Sequence, residues 1–163
     1  MNLNAKNFPV VICIGSASVS GDSLGPMVGD LLREKYNVKA YVYGGIRQPV
    51  NGVNYTKYLQ HVREQHKESF IFAVDACVGE RTDIGKIKIS TGGVSAGGAL
   101  NKNFARVGDI GILGVVAERQ NDNLSALMQV SYNIVNQMSA VIAKRLADVL
   151  VGFELLKRRG SRF

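Results

Sequence analysis

The sequence predicts an α/β domain with helices on both faces of a mostly parallel sheet. Three observations predict it. Short apolar runs alternate with stretches of helical periodicity. Two of the runs, residues 10–14 and 70–74, contain no polar position, as strands buried on both faces do not. Each is followed by a glycine turn, Gly15 after the first and Gly79 after the second.

The elements follow in order. Residues 10–14 (VVICI) form the first strand, and a loop of small residues then leads to Asp22. Pro26 suits the first turn of a helix, where its missing N–H is no loss. Met27, Val28, Leu31 and Leu32 give that helix an apolar face, and Asn37 ends it. Residues 38–43 alternate as a strand with Val38, Ala40 and Val42 on one face, closed by Gly44 and Gly45. Residues 46–54, with Pro49 and Gly52, read as a loop. The next helix covers 55–67, burying Tyr55, Tyr58, Leu59 and Val62 and turning Lys57, Gln60, Arg63 and Glu64 to water. Residues 70–74 are an apolar strand with Asp75 at its end, and 86–90 alternate as a short strand. Residues 91–100 (TGGVSAGGAL) are too glycine-rich to be regular throughout, and a strand (ILGVV) lies within 109–117. Residues 121–123 are a turn and helix cap. The last helix covers 124–150, with Leu124, Leu127, Met128, Ile134, Val135, Met138, Val141, Ile142 and Val149 as its buried stripe and the methionines as core filler. No repeat or linker interrupts the chain, so residues 1–152 read as one α/β domain and 153–163 as a basic tail.

Composition narrows the function classes. The chain has 163 residues, 46% apolar and 20% charged, which suits one globular domain. No apolar run approaches the ~18 residues of a membrane span, and MNLNAKNF lacks the apolar core of a signal peptide. Cys13 and Cys77 lie in strand contexts and read as buried free thiols, which fits a reducing compartment and a cytoplasmic location. In the tail, Glu154 set against Lys157, Arg158, Arg159 and Arg162 accounts for +3 of the net charge of +7. No zinc-finger, helix-turn-helix or RNA-binding pattern accompanies that charge, so it reads as a solvated basic surface rather than a nucleic-acid site. G-x-G-x-x-G and G-x-x-x-x-G-K-[ST] are both absent, which weakens nucleotide readings. His61 and His66 are five apart, about 140° around a helix, and do not make a two-histidine metal site.

Asp22 and Asp75 carry the strongest chemical signal. If their strands are parallel neighbours, both meet at the C-terminal edge of the sheet, where ligands gather in open α/β folds. Close carboxylates share a proton rather than ionise independently. One can then take a proton from water while the other protonates an oxygen or a leaving amine. The residues alone leave two other readings open: a metal held by the pair, or simple capping of a helix or turn. Residues 93–97 match G-x-S-x-G around Ser95. In esterases of that type the base histidine follows the serine, whereas both histidines here precede it. The loop could instead offer backbone N–H groups to an anion or a carbonyl oxygen. Cys77 has no cation nearby in sequence to make it a thiolate.

Three motifs in order, CIG…GDSLGP, FAVDACVG and ISTGGVSAGGALNK, resemble the YyaC-type sporulation proteins of spore-forming bacteria. The resemblance covers residues 10–116 and continues through the last helix. More distantly, the same motifs resemble the germination protease that degrades small acid-soluble spore proteins. The resemblance implies a three-layer α/β/α sandwich of the kind shared by hydrogenase maturation proteases and phosphorylase-like proteins. It also implies that Asp22 and Asp75 are catalytic. Residues 91–102 become a substrate-side loop, in which Thr91, Gly92, Gly93, Ser95, Gly97, Gly98 and Asn101 are the candidate binding residues. No metal or cofactor is expected. The implied partner is a protein or peptide, with small acid-soluble spore proteins as the candidate; neither membrane nor nucleic acid is expected, and a homo-oligomer stays open.

The implied function is an aspartate-dependent endopeptidase of the sporulating cell. Asp75 would activate water, Asp22 would act as acid or share the proton, and residues 92–98 would steady the carbonyl oxygen. The alternatives are a non-catalytic binding or assembly protein that retains the fold, and a metal-dependent hydrolase. Two departures from the resemblance stand out. Hydrogenase maturation proteases bind nickel with a downstream histidine, and this sequence has none after His66. The chain is also much shorter than the germination protease, without room for its propeptide.

Overall fold

The structure, a computed structural model, describes residues 7–98 and 104–160. Four strands run parallel: β1 (Val10–Cys13), β2 (Tyr41–Tyr43), β3 (Ile71–Gly79) and, later in the chain, β7 (Ile110–Glu118). β4 (Ile87–Thr91) pairs antiparallel with β7 and closes one edge, giving the order β2-β1-β3-β7-β4. A two-stranded ribbon, β5 (Val94–Ser95) with β6 (Arg106–Val107), lies outside this sheet. The helices are α1 (Leu24–Asp30), extended by a π turn at Leu31–Lys35, then α2 (Tyr55–Gln65), α3 (Asn123–Met128) and α4 (Tyr132–Gly160).

Alternation along the strands sorts the core into two layers. Val11 and Cys13 point to the side of Leu24, Val28, Leu127, Val135 and Ile142, from α1, α3 and α4. Val10 and Ile12 point to the side of Tyr55, Leu59 and Val62 of α2, together with Val94 and Val107 of the ribbon. The fold is therefore the three-layer α/β/α sandwich with a mostly parallel sheet. α1 sits close on β1 because Gly25 faces the Ile14 backbone, where any Cβ would collide with the carbonyl oxygen.

The topology creates a crevice. From β1 the chain moves outward to β2, then returns across β1 to β3. The strand order reverses between β1 and β3, and that is the switch point at which open α/β sheets bind ligands.

Several elements differ from expectation for identifiable reasons. β3 does not stop before Asp75. Its pairing with β7 continues beyond the end of β1, with Asp75 opposite Leu113, and shifts register only between Cys77 and Val78. Pairing within 38–43 is confined to Tyr41–Tyr43. The last helix is two helices. Asp122 caps α3 by accepting the Ser125 N–H at 3.1 Å, residues 129–131 break the run, and Ser131 Oγ accepts the Asn133 N–H at 3.2 Å as α4 begins. The break resets the helical frame. Leu127, Val135, Met138 and Ile142 are buried, whereas Leu124, Met128, Val141 and Val149 face solvent, so Met128 is not core filler. α4 runs through to Gly160, so the described part of the basic segment is helix rather than tail. Phe153 packs on Phe70 and Phe72 at ring distances of 5.4 and 5.6 Å, and Lys157 lies over the Phe8 ring. Among the described residues no helix is long and apolar enough to cross a membrane.

Candidate active site

Asp22 is placed by a loop tied to two other parts of the chain, at Val50 and Val130. Beyond β1, Ile14 bridges to Val50, and the Gly15 N–H donates to the Val50 carbonyl at 2.9 Å. The chain then folds back so that the Ser16 N–H donates to the Asp22 carbonyl at 3.1 Å. Gly15 permits this turn: its φ is +151°, and a Cβ there would collide with the Asp22 carbonyl oxygen. Asp22 itself sits in a single 3-10 turn, Gly21–Ser23. The Ser20 hydroxyl anchors that turn to the helix break, donating to the Val130 carbonyl at 2.6 Å.

Asp75 is held from below the same crevice and is only 6% exposed. Its Oδ1 accepts the Ala76 N–H at 2.9 Å, and the Gly97 N–H donates to the same carboxylate. Asp22 and Asp75 line one narrow cleft of about 40 Å³, together with Gly15, Asn51, Tyr55, Gly97 and Phe104. Burial pushes the Asp75 carboxyl well above the usual carboxylate range, and the charge of Asp22 pushes it further. The two N–H bonds oppose this and are outweighed. A wider cleft of about 370 Å³ also reaches Asp75 and is lined by Cys77, Ser95, Gly98, Arg119 and Asn123.

The glycine-rich segment divides. Gly97 reaches the aspartates, and Ser95 and Gly98 face the wider cleft. Thr91 pairs with Ile110, which in turn pairs with Phe72, so Thr91 lies toward the far edge of the sheet. Gly92 and Gly93 serve the ribbon. The Arg106 guanidinium donates to their carbonyls at 3.3 and 3.0 Å and to Ser95 Oγ at 3.3 Å. Asn101 falls outside the described residues. Gly97 lines the cleft beside Asp75, with its N–H directed at that carboxylate.

Tyr55, Asn51, Phe104 and Arg119 line the clefts although their sequence context gave no chemical signal. Tyr55 had been assigned only to the buried stripe of a helix. Its hydroxyl donates to the Ala105 carbonyl and its ring lies 5.3 Å from that of Phe104. Burial pushes its phenol up to about 12, Asp75 adding to the rise and Arg63 opposing it, so it stays a neutral donor.

Other candidates recede. Cys77 is half-buried rather than fully buried. Burial raises its thiol despite Lys88 and Arg119, so it is not a thiolate. Cys13 is fully buried and its thiol is pushed up to about 12. His66 caps α2 half-buried, with Nε2 2.7 Å from the Tyr43 hydroxyl. Among the described residues no histidine lines either cleft, so the wider cleft places no histidine base beside Ser95. Among the described residues no group of three His, Cys, Asp or Glu side chains is assembled. Two carboxylates without an imidazole do not fit the nickel set that the resemblance to hydrogenase maturation proteases implies.

Comparison with known proteins agrees with this architecture. The chain resembles a hydrogenase maturation protease, HycI, from Thermococcus kodakarensis KOD1, with a TM-score of 0.57, 18% identity, and coverage of 91% of this chain and 96% of that one. It resembles peptidyl-tRNA hydrolase from Acinetobacter baumannii with a TM-score of 0.54, 11% identity, and coverage of 94% and 91%. At these identities the likeness is one of fold. In sequence the chain is 35% identical to the uncharacterized protein YyaC of Bacillus subtilis (strain 168) over 138 residues, 85% of this chain and 67% of that protein. The family model for DUF1256, described as a protein of unknown function, matches residues 1–145. The chain therefore belongs to the DUF1256 family, on a hydrogenase maturation protease-like fold.

Proposed function

We propose that this protein is an aspartate-dependent endopeptidase of the sporulating cell, acting in the cytoplasm on a protein substrate. One observation carries the chemistry: Asp22 and Asp75 face one cleft, and the buried member holds its proton well above the usual carboxylate range. The proposed roles are the reverse of those expected from sequence, and the burial of Asp75 supports this reading. Asp75, buried and beside a second carboxylate, keeps the shared proton and is the general acid. Asp22, half-exposed at the cleft mouth, is the base.

In the reaction Asp22 takes a proton from water as the water oxygen bonds to the scissile carbonyl carbon. Asp75 donates its proton to the carbonyl oxygen. Collapse of the tetrahedral intermediate then breaks the C–N bond, with the amine receiving the proton held by Asp22 and one hydroxyl of the intermediate returning its proton to Asp75 as the product carboxyl forms. The narrow cleft admits water-sized groups, and the wider one gives a peptide room beside Asp75. The sporulation setting and a small acid-soluble spore protein as substrate rest on the resemblance of the three sequence motifs.

A second reading, a binding or assembly protein of the same programme, is favoured by the narrowness of the 40 Å³ cleft over the aspartates. The deciding experiment is intact-mass analysis after incubation with a small acid-soluble spore protein across about pH 5–8, with Asp75→Asn alongside. Discrete fragments from the wild type alone support the peptidase. Intact substrate at every pH, with the two proteins recovered as a complex, supports the binding protein.

A further inference from the structure

The last turns of α4 leave an apolar patch in solvent. Val149, Val151, Leu155 and Leu156 are 47%, 55%, 55% and 56% exposed. At 100° per residue Leu155 and Gly152 lie on the side of the helix opposite Leu146, Leu150 and Phe153, which pack inward, Val151 and Leu156 flank them, and Val149 is at the margin of the patch. Among the described residues nothing requires a glycine at 152, since a Cβ there would meet nothing within 4 Å. A glycine inside a helix costs about 1 kcal/mol relative to alanine. What it gains is close approach of another backbone.

The charges around the patch indicate which backbone. Asp148 and Arg159 bracket it at opposite ends, eleven residues apart and therefore within about 20° of the same face. Asp148 is 62% exposed and pairs with Lys144. Arg159 makes no ion pair among the described residues. A second copy of the helix, running antiparallel, sets each Asp148 against the partner's Arg159 and, between them, Val151 against Leu156 and Gly152 against Leu155. A parallel copy sets like charge on like. The patch also lies far from the aspartates. α4 starts beside the Asp22 loop at the C-terminal edge of the sheet and reaches Phe70, just before β3, only at Phe153.

We propose that α4 pairs antiparallel with α4 of a second copy, about a twofold axis, through Val151, Gly152, Leu155 and Leu156. The helix segment is about 16 Å long, so the interface falls below the ~1,200 Å² of stable assemblies and the dimer is concentration-dependent. Both catalytic clefts stay open in it, so the pairing stands or falls independently of the proposed chemistry.

Sedimentation velocity of the full chain from about 1 to about 300 μM, a range that brackets weak interfaces, tests this. The wild type passes from monomer to dimer. Leu156→Glu stays monomeric. Asp148→Arg or Arg159→Asp alone raises the dissociation constant about 3- to 10-fold, and the double exchange restores it. All three positions are exposed, and circular dichroism checks that each variant is folded. A monomer at every concentration overturns the proposal, as does a dimer indifferent to these variants. So does a monomer that co-sediments with phosphatidylglycerol vesicles, which would assign the patch to a lipid surface.

Discussion

The Ser20 hydroxyl donates to the carbonyl of Val130, 110 residues further on, at 2.6 Å. This bond joins the turn that carries Asp22 to the break between α3 and α4. The Val130 carbonyl is available because the helix is interrupted there. Ser20→Ala is expected to cost about 1 kcal/mol of stability, read from urea denaturation. Because it frees the Asp22 turn, it is also expected to lower kcat more than it raises KM. An unchanged kcat would show that the turn holds Asp22 without this bond.

Asp75 couples stability to pH. Its folded-state carboxyl lies above its unfolded value, so its contribution is fully present below the unfolded value and is lost as pH rises through the folded one. Over that interval the wild type loses up to about 1.4 kcal/mol per pH unit. Asp75→Asn removes this slope and is more stable than the wild type at neutral pH, while losing activity. Parallel stability curves for the two proteins from pH 4 to pH 8, in chemical denaturation, would contradict the burial argument.

Gly25 tests the seating of α1. Alanine there collides with the Ile14 carbonyl oxygen, and backbone cannot move aside as a flexible side chain can. Gly25→Ala is expected to destabilise by about 3 kcal/mol or more and to lift α1 from β1. Gly85→Ala is a control for backbone conformation alone, since its φ is +90° and a Cβ meets nothing within 4 Å. Equal losses in the two variants would mean that close approach at Gly25 is not what matters.

Arg106 closes the β5–β6 ribbon with donors to two carbonyls and one hydroxyl. Arg106→Ala is expected to loosen residues 92–98 and raise hydrogen exchange at Gly97, whose N–H Asp75 accepts. Arg106→Lys cannot reproduce the fork and rescues little. Hydrogen-exchange mass spectrometry of this segment reads the effect directly.

Much of this architecture was legible in the sequence. The unbroken apolar runs before Gly15 and Asp75 identified β1 and β3 as buried parallel strands, and the neighbouring of those strands brings Asp22 and Asp75 into one cleft. The limits are local. Residues 124–150 keep helical spacing throughout, so the break at 129–131 left no mark in the pattern. It exists because Val130 turns to meet Ser20 and Gly21. β3 runs past Asp75 because β7 continues beside it, and a partner strand cannot be seen from the run itself. Tyr55 and Arg119 reach the clefts through tertiary packing, while, within the glycine-rich motif, Thr91 ends β4 at the far edge of the sheet and Gly92 turns toward the ribbon.

The central claim is that the two aspartates share one proton held on Asp75. Carbon-13 NMR titration of the Asp75 carboxyl, in the wild type and in Asp22→Asn, measures it most directly. The account predicts that Asp75 titrates well above the ordinary value of about 3.9 in the wild type. In Asp22→Asn it moves down, yet not to the ordinary value, because burial is the larger cause. A wild-type Asp75 that titrates near the ordinary value, unmoved by Asp22→Asn, would contradict the account.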